Sequence, residues 1–296
     1  MENEKFDLAT EIEVVDGIIK KYLPAESGYQ EIVIKAMNEA VVQGGKRIRP
    51  ILMHEAYKAF ATSLYDEKVI GPFMTAMEMI HTFSLVHDDL PCMDNDTLRR
   101  GQPTTWYKYG EDIGVLAGDG LVIEAFYVAA SAHGQCASSL QAIQMLAKCA
   151  GVRGMLGGQV IDVINTGKPI EPDVLDSIYR LKTAALIEAS IKIGANLASC
   201  WPTDAEYMGD AAKYIGLAFQ IKDDILDATA TDESLGKNAH SDERNNKTTY
   251  VSLYGLEKSQ QLVDLYTQKA KDCLRGMFCD TSRIVEVFDL LCNRDR

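Results

Sequence analysis

Residues 184–198 read AALIEASIKIGANLA, and this stretch decides the fold. It is nearly all apolar or small, and a run of this length without proline reads as a helix buried on all sides. Working outward, residues 11–22 place Ile12, Val15, Ile18, Ile19 and Tyr22 on one stripe. Residues 31–42 set Ile32, Val33, Ile34 and Met37 beside polar positions. Both are amphipathic helices by periodicity. Segments 51–62, 70–90, 112–133, 139–151, 172–200, 204–227 and 257–275 repeat the pattern. There is no alternating strand pattern and no Asn-Gly hairpin. Loop signals fall at Gly44-Gly45, Gly71-Pro72, 95–105, 166–172, 202–204 and 231–249. No repeat, low-complexity tract or linker divides the chain. The expectation is an all-α protein: a single large helical bundle, one domain over residues 1–296.

The bulk numbers narrow the function. The chain has 296 residues, with 30 basic and 43 acidic side chains and a net charge of −13. Such a chain repels nucleic acid and anionic lipid, but it can hold an anionic substrate if metal ions bridge the two. The seven cysteines show no C-x-x-C spacing and an odd count, which argues against a disulfide framework or a zinc site and fits a reducing cytoplasm. The first ten residues carry no signal-peptide pattern. No stretch of about 18 consecutive apolar residues occurs, so no membrane span is expected.

Two acidic clusters each follow a long apolar run. The first is HDDLPCMDND, residues 87–96; the second is FQIKDDILD, residues 219–227. In the second, Asp223 and Asp227 are i and i+4 on one helix face with Asp224 beside them. Like charges at that spacing repel unless a cation sits between them, and magnesium takes oxygen ligands of this kind together with substrate phosphates. In the first cluster Asp88 and Asp94 are six apart. Pro91 interrupts the helix and lets Asp94 swing back toward Asp88 and Asp89. One such cluster could be a solvated helix end. Two, each on an apolar helix and each near basic residues, point to metal-bridged phosphate.

The basic residues complete the pattern. Gly44-Gly45 precedes Lys46, Arg47 and Arg49, and Lys46 and Arg49 at i and i+3 face one way. Arg99-Arg100-Gly101 follows the first acidic cluster, and arginine suits bidentate phosphate binding. Lys182-Thr183 interrupts a buried stretch, so Lys182 needs a partner, and a bound phosphate would serve. Lys237 and Lys247, taken singly, read as surface charges.

At this point the sequence resembles the trans-type isoprenyl diphosphate synthases, especially bacterial farnesyl and plant-type geranylgeranyl diphosphate synthases. The resemblance runs nearly end to end through GGKRIRP (44–50), SLVHDDLPCMDNDTLRRGQPT (84–104), LAGDGL (116–121), GGQVID (157–162), RLKTAALI (180–187), FQIKDDILD (219–227), GKNAHSD (236–242) and NNKTTY (245–250). The closing Asn293, Arg294, Asp295 and Arg296 resemble the family's basic tail. The resemblance implies an all-α fold around a central active-site cavity, with the aspartate motifs opposite each other at its mouth. It implies that Asp88, Asp89 and Asp94 hold two magnesium ions on an allylic diphosphate. Asp223 would hold a third, with Asp224 and Asp227 in support, directly or through water. Arg99, Lys182, Thr183, Gln220, Lys237 and Lys247 match positions that grip the allylic diphosphate; Asp88, Asp89, Lys182 and Asp223 carry the catalytic weight. Gly45, Lys46, Arg49, His81 and Arg100 match the isopentenyl diphosphate site. A cytoplasmic homodimer is the family expectation. Trp106, Tyr107, Gly120 and Ala184 depart from the family pattern and touch local packing rather than the metal or phosphate ligands.

The implied reaction is magnesium-dependent, head-to-tail condensation of isopentenyl diphosphate with dimethylallyl or geranyl diphosphate. Phe83, five residues before Asp88, lies about 7.5 Å along the helix axis from it. A bulky ring there would stop the product at fifteen carbons, so farnesyl diphosphate is expected. The alternatives are a geranylgeranyl diphosphate synthase, a class I terpene cyclase, which GGKRIRP and the second aspartate motif oppose, and a non-catalytic partner subunit, which two intact motifs oppose.

Overall fold

The computed structural model describes residues 6–61, 65–132, 137–229 and 247–294. In chain order the helices are α1 Leu8–Lys21, α2 Glu31–Val42, α3 Ile48–Ala61, α4 Glu67–Asp88, α5 Thr105–Tyr109, α6 Glu111–Ser131, α7 Ser139–Ala150, α8 Met155–Asn165 and α9 Pro172–Ile178. A π-helical turn, Tyr179–Ala184, follows, and then α10 Ala185–Leu197, α11 Pro202–Thr229, α12 Tyr250–Tyr254, α13 Leu256–Leu274 and α14 Ser282–Cys292. The only strands among the described residues are β1 Leu98–Arg99 and β2 Gln102–Pro103. The all-α expectation holds.

The described residues fall into two compact units, one from Met1–His54 and Leu64–Ile143, the other from Glu55–Ser63 and Gln144–Arg296. In the first, α4 is the core helix: Phe73, Met74, Met77, Met79 and Ile80 are fully buried. Gly71-Pro72 is not a loop, contrary to the sequence expectation; both residues lie inside α4. A proline there removes one backbone hydrogen bond and costs about 3 kcal/mol. Full burial of each large apolar side chain returns about 1.5–3 kcal/mol, so five of them outweigh it. Gly71 serves packing instead, since a Cβ there would stand 2.7 Å from the Tyr22 ring. Arg47 ties the unit together from a buried position, pairing with Asp16 at 2.7 Å and Glu78 at 2.6 Å and donating to the Val41 carbonyl at 2.7 Å.

In the second unit α10 is buried as its sequence dictates, with Leu186, Ile191, Ile193 and Ala195 inaccessible. Several elements differ from expectation. Residues 202–204 open α11 rather than forming a loop, because Pro202 suits the first helical turn. Helices α8, α12 and α14 were not anticipated; α8 begins in a glycine-rich stretch that lowers helical propensity. Two helices, α4 and α6, are long and apolar enough by composition to cross a membrane, with hydropathies of 1.3 and 1.6. Helix α4 is mostly buried, as a core helix would be.

The six described cysteines are free thiols. Burial pushes Cys149 and Cys200 up to about 11, so both stay protonated at neutral pH.

Candidate active site

In the first unit α4 stops at Asp88, with Asp89 as its cap. Leu90 precedes Pro91 and is steered out of the helical region. The chain then turns back: the Asp94 N–H donates to the Asp88 carbonyl at 2.8 Å and the Asn95 N–H to the Leu90 carbonyl at 3.1 Å. Asn95 takes a positive φ of 55°. This is the return of Asp94 toward Asp88 that the proline spacing predicts. Asp89 is 3 % exposed and is clamped by Arg99, whose Nε donates at 2.9 and 3.0 Å and Nη2 at 2.6 Å. Burial raises the Asp89 carboxyl above the usual range in spite of that pairing. Among the described residues neither aspartate-rich segment forms a closed cage with three ligand groups within 4.8 Å of one another, as mutual repulsion would dictate for carboxylates alone.

Arg99 and Arg100 are aimed by the short hairpin. Arg100 and Gly101 form its turn with φ of 53° and 74°, the two positive values that a type I′ turn requires. Arg99 reaches back to Asp89 while Nη1 of Arg100 donates to the Gly44 carbonyl. A Cβ on Gly45 would stand 2.7 Å from the Arg100 guanidinium, so glycine is needed there for this approach. His81, on α4, is held well below its ordinary pKa, first by burial and then by Arg49, Arg100, Arg99 and Arg47. A neutral imidazole amid arginines marks a strongly positive field, ready for an anion. Of the sequence-predicted isopentenyl diphosphate residues, Gly45, Arg49, His81 and Arg100 are thus brought into one electrostatic environment, with Lys46 next to Gly45 in the chain. Arg47, the third cation of that stretch, is committed to the fold.

Two sequence departures find packing reasons in this unit. A Cβ on Gly120 would stand 2.7 Å from Sδ of Met37, and Gly114 gives room to Trp106 at 3.0 Å. Phe83 meets His87 edge-on, ring centroids 5.9 Å apart. His87 is itself fixed by the Val115 carbonyl at 3.1 Å and by the close approach of Gly118.

In the second unit the acids of α11 differ in exposure. The Asp223 side chain is half-exposed and is met by Nη2 of Arg294. The Arg294 guanidinium lies 4.1 Å over the Phe219 ring. Asp227 is buried. Asp224 is 3 % exposed; its Oδ2 accepts from the Tyr179 hydroxyl at 2.6 Å and from the Tyr250 N–H at 3.0 Å. Lys182 pairs with a carboxylate of the chain itself, Asp162, at 2.6 Å, where the sequence suggested a bound phosphate, and Lys247 stands 3.9 Å from the same carboxylate. Thr183 donates to Gln220 Oε1 at 2.7 Å. A cavity of about 130 Å³ is lined by Asp162, Lys182, Thr183, Gln220, Asp224 and Lys247, among others. Lys182 and Thr183 stand on the π-helical turn. Glycines allow that wide turn to fit: a Cβ on Gly158 would lie 2.2 Å from the Lys182 backbone nitrogen, and one on Gly216 2.4 Å from Cβ of Ala184. Ala184, a departure from the family pattern, is therefore matched by Gly216.

Four of the expected allylic-diphosphate residues, Lys182, Thr183, Gln220 and Lys247, line this one cavity. Arg99 lies in the first unit, on Asp89. Lys237 lies outside the described residues. Asp162, Tyr179, Tyr250, Gly158 and Gly216 had no role assigned from sequence, although Asp162 and Gly158 sit in GGQVID and Tyr250 ends NNKTTY.

The chain matches known proteins over most of its length. The polyprenyl synthetase family model matches residues 30–277. A farnesyl diphosphate synthase of Bacillus subtilis is 39% identical over 264 residues, covering 88% of each chain. Geranylgeranyl pyrophosphate synthase 7 of Arabidopsis thaliana is 42% identical over 254 residues, covering 84% of this chain and 72% of the relative. The crystal structure of a geranyltransferase from Helicobacter pylori, complexed with magnesium and isoprenyl diphosphate, superposes with a TM-score of 0.83 at 29% identity, covering 97% of this chain and 96% of that one.

Proposed function

The chain belongs to the polyprenyl synthetase family and is a trans-type prenyl transferase, and from that premise we propose that it condenses isopentenyl diphosphate with dimethylallyl and geranyl diphosphate to give farnesyl diphosphate, with magnesium as its metal. The observation that carries the chain length is Phe83, a half-buried ring one and a half turns before Asp88 and fixed by its edge-on contact with His87. Phe83→Ala is expected to shift the main product from fifteen carbons to twenty or more, read by sizing products from labelled isopentenyl diphosphate. An unchanged product would remove Phe83 as the floor.

The donor set supports the metal. Asp88, Asp89, Asp94, Asp223, Asp224 and Asp227 offer carboxylate oxygens, the ligands that magnesium prefers. Asp89 and Asp223 each already attract a guanidinium. In this reading Asp88, Asp89 and Asp94 would hold magnesium for the allylic diphosphate, and Asp223, supported by Asp224 and Asp227, would hold a further ion. Magnesium bound there would supply Lewis-acid stabilisation of the departing diphosphate.

The chain's own groups do the rest. Lys182, Thr183, Gln220, Arg99, Lys237 and Lys247 bind the allylic diphosphate and stabilise the charge that grows on it as the C–O bond ionises. Gly45, Lys46, Arg49, Arg100 and the neutral His81 hold isopentenyl diphosphate so that its double bond attacks the allylic carbon; orientation supplies much of the gain. The proton is then lost to the departing diphosphate.

A homodimer belongs to the same proposal. Leu116, Ile123 and Tyr127 form one stripe on α6 and are 53, 71 and 72 % exposed, an apolar face of the kind that a partner covers. The double variant Ile123→Asp, Tyr127→Asp is expected to halve the mass measured by light scattering. A wild type that runs as a monomer, or a variant of unchanged mass, would contradict the dimer through this face.

A further inference from the structure

We propose that Tyr179 is a positioning residue for the allylic substrate: its hydroxyl, anchored on Asp224, fixes the π-helical turn that presents Lys182 and Thr183. The inference rests on the reading of those two residues as the grip on the allylic diphosphate. Tyr179 opens the turn, Lys182 and Thr183 follow within it, and all three line the same cavity as Asp224.

The anchor is strong for physical reasons. Asp224 is almost fully buried, and its Oδ2 accepts two hydrogen bonds, from Tyr179 at 2.6 Å and from the Tyr250 backbone at 3.0 Å. Bonds to a carboxylate are roughly twice as strong as neutral ones. The same residue links to the other end of the turn: Gln220 approaches Asp224 Oδ1 at 3.5 Å and accepts from Thr183 at 2.7 Å. Asp224 is therefore a fixed point of α11 on which both ends of the π turn are hung. The turn needs such ties, because π-helical geometry is intrinsically strained and recurs at functional sites. The Tyr250 N–H comes from the segment that also carries Lys247, so the anchor is shared with a third element of the cavity. Supporting groups of this kind decide whether a binding group stands in its productive position.

The Tyr179 ring also packs on the Tyr250 ring, centroids 5.5 Å apart. Tyr179→Phe therefore removes the hydroxyl and leaves the ring in place. With saturating magnesium, we expect Tyr179→Phe to raise KM for geranyl diphosphate about tenfold, with KM for isopentenyl diphosphate within twofold, and to lower Tm modestly because a buried carboxylate loses a partner. Equal rises in both KM values, or no change in either, would overturn the proposal. Lys182→Ala, assayed in parallel, tests the grip itself. If it leaves KM for geranyl diphosphate unchanged, the grip reading fails, and a selective effect of Tyr179→Phe would then overturn the route through the turn.

Discussion

Asp88→Asn lowers kcat by about 10²- to 10³-fold, the loss typical of removing one electrostatic stabiliser from a reacting centre, and leaves the fold intact. Asparagine has the same shape, and the turn that returns Asp94 uses the Asp88 backbone carbonyl, which the variant keeps. The variant therefore removes negative charge at nearly constant shape. Asp89→Asn would be a poorer test, because it strips the buried partner from Arg99, and breaking a buried ion pair costs stability in its own right. Activity of Asp88→Asn should recover in part at higher magnesium. The check is a magnesium titration of initial rates beside a thermal melt. A near-wild-type rate with an unchanged melt would remove Asp88 from the metal set.

Gly158→Ala is the second large effect. A methyl group there would lie 2.2 Å from the Lys182 backbone nitrogen and 2.7 Å from its Cα. Backbone cannot step aside as a flexible side chain can, so α8 and the π turn must part. Overpacking of this kind costs about 1–3 kcal/mol. The kinetic consequence is larger, since a displacement of about 1 Å in a substrate-positioning group can cost about 10²-fold. The expected result is a fall of that order in kcat/KM for geranyl diphosphate, with KM for isopentenyl diphosphate little changed, in a protein whose far-UV circular dichroism remains helical. Wild-type kinetics would mean that the turn does not depend on this contact.

The parts of the molecule legible in sequence are those governed by periodicity and by charge. The helices of the core declare themselves because burial demands apolar residues at every contact position, as along 184–198. The return of Asp94 is legible because Pro91 forces a break. What stayed hidden depends on single long-range contacts. Gly71-Pro72 looks like a loop from its residue types alone; only the close packing of Tyr22 and the buried run after it keep the helix whole. The Arg100-Gly101 hairpin is too short to show alternation. Lys182 announced the need for a partner but not which one, since Asp162 is twenty residues away in the chain. Tyr179 gave no signal, because a tyrosine among apolar residues reads as core until the carboxylate at its hydroxyl is seen.

The central claim is magnesium-dependent elongation that stops at fifteen carbons. The most direct measurement incubates the purified protein with magnesium, labelled isopentenyl diphosphate and, in turn, dimethylallyl, geranyl and farnesyl diphosphate, and sizes the products. The account predicts mainly fifteen-carbon product from the first two, poor extension of the third, and none of this when magnesium is chelated. Efficient extension of farnesyl diphosphate would contradict the stop at Phe83, and absence of any product in spite of bound allylic diphosphate would contradict the claim as a whole.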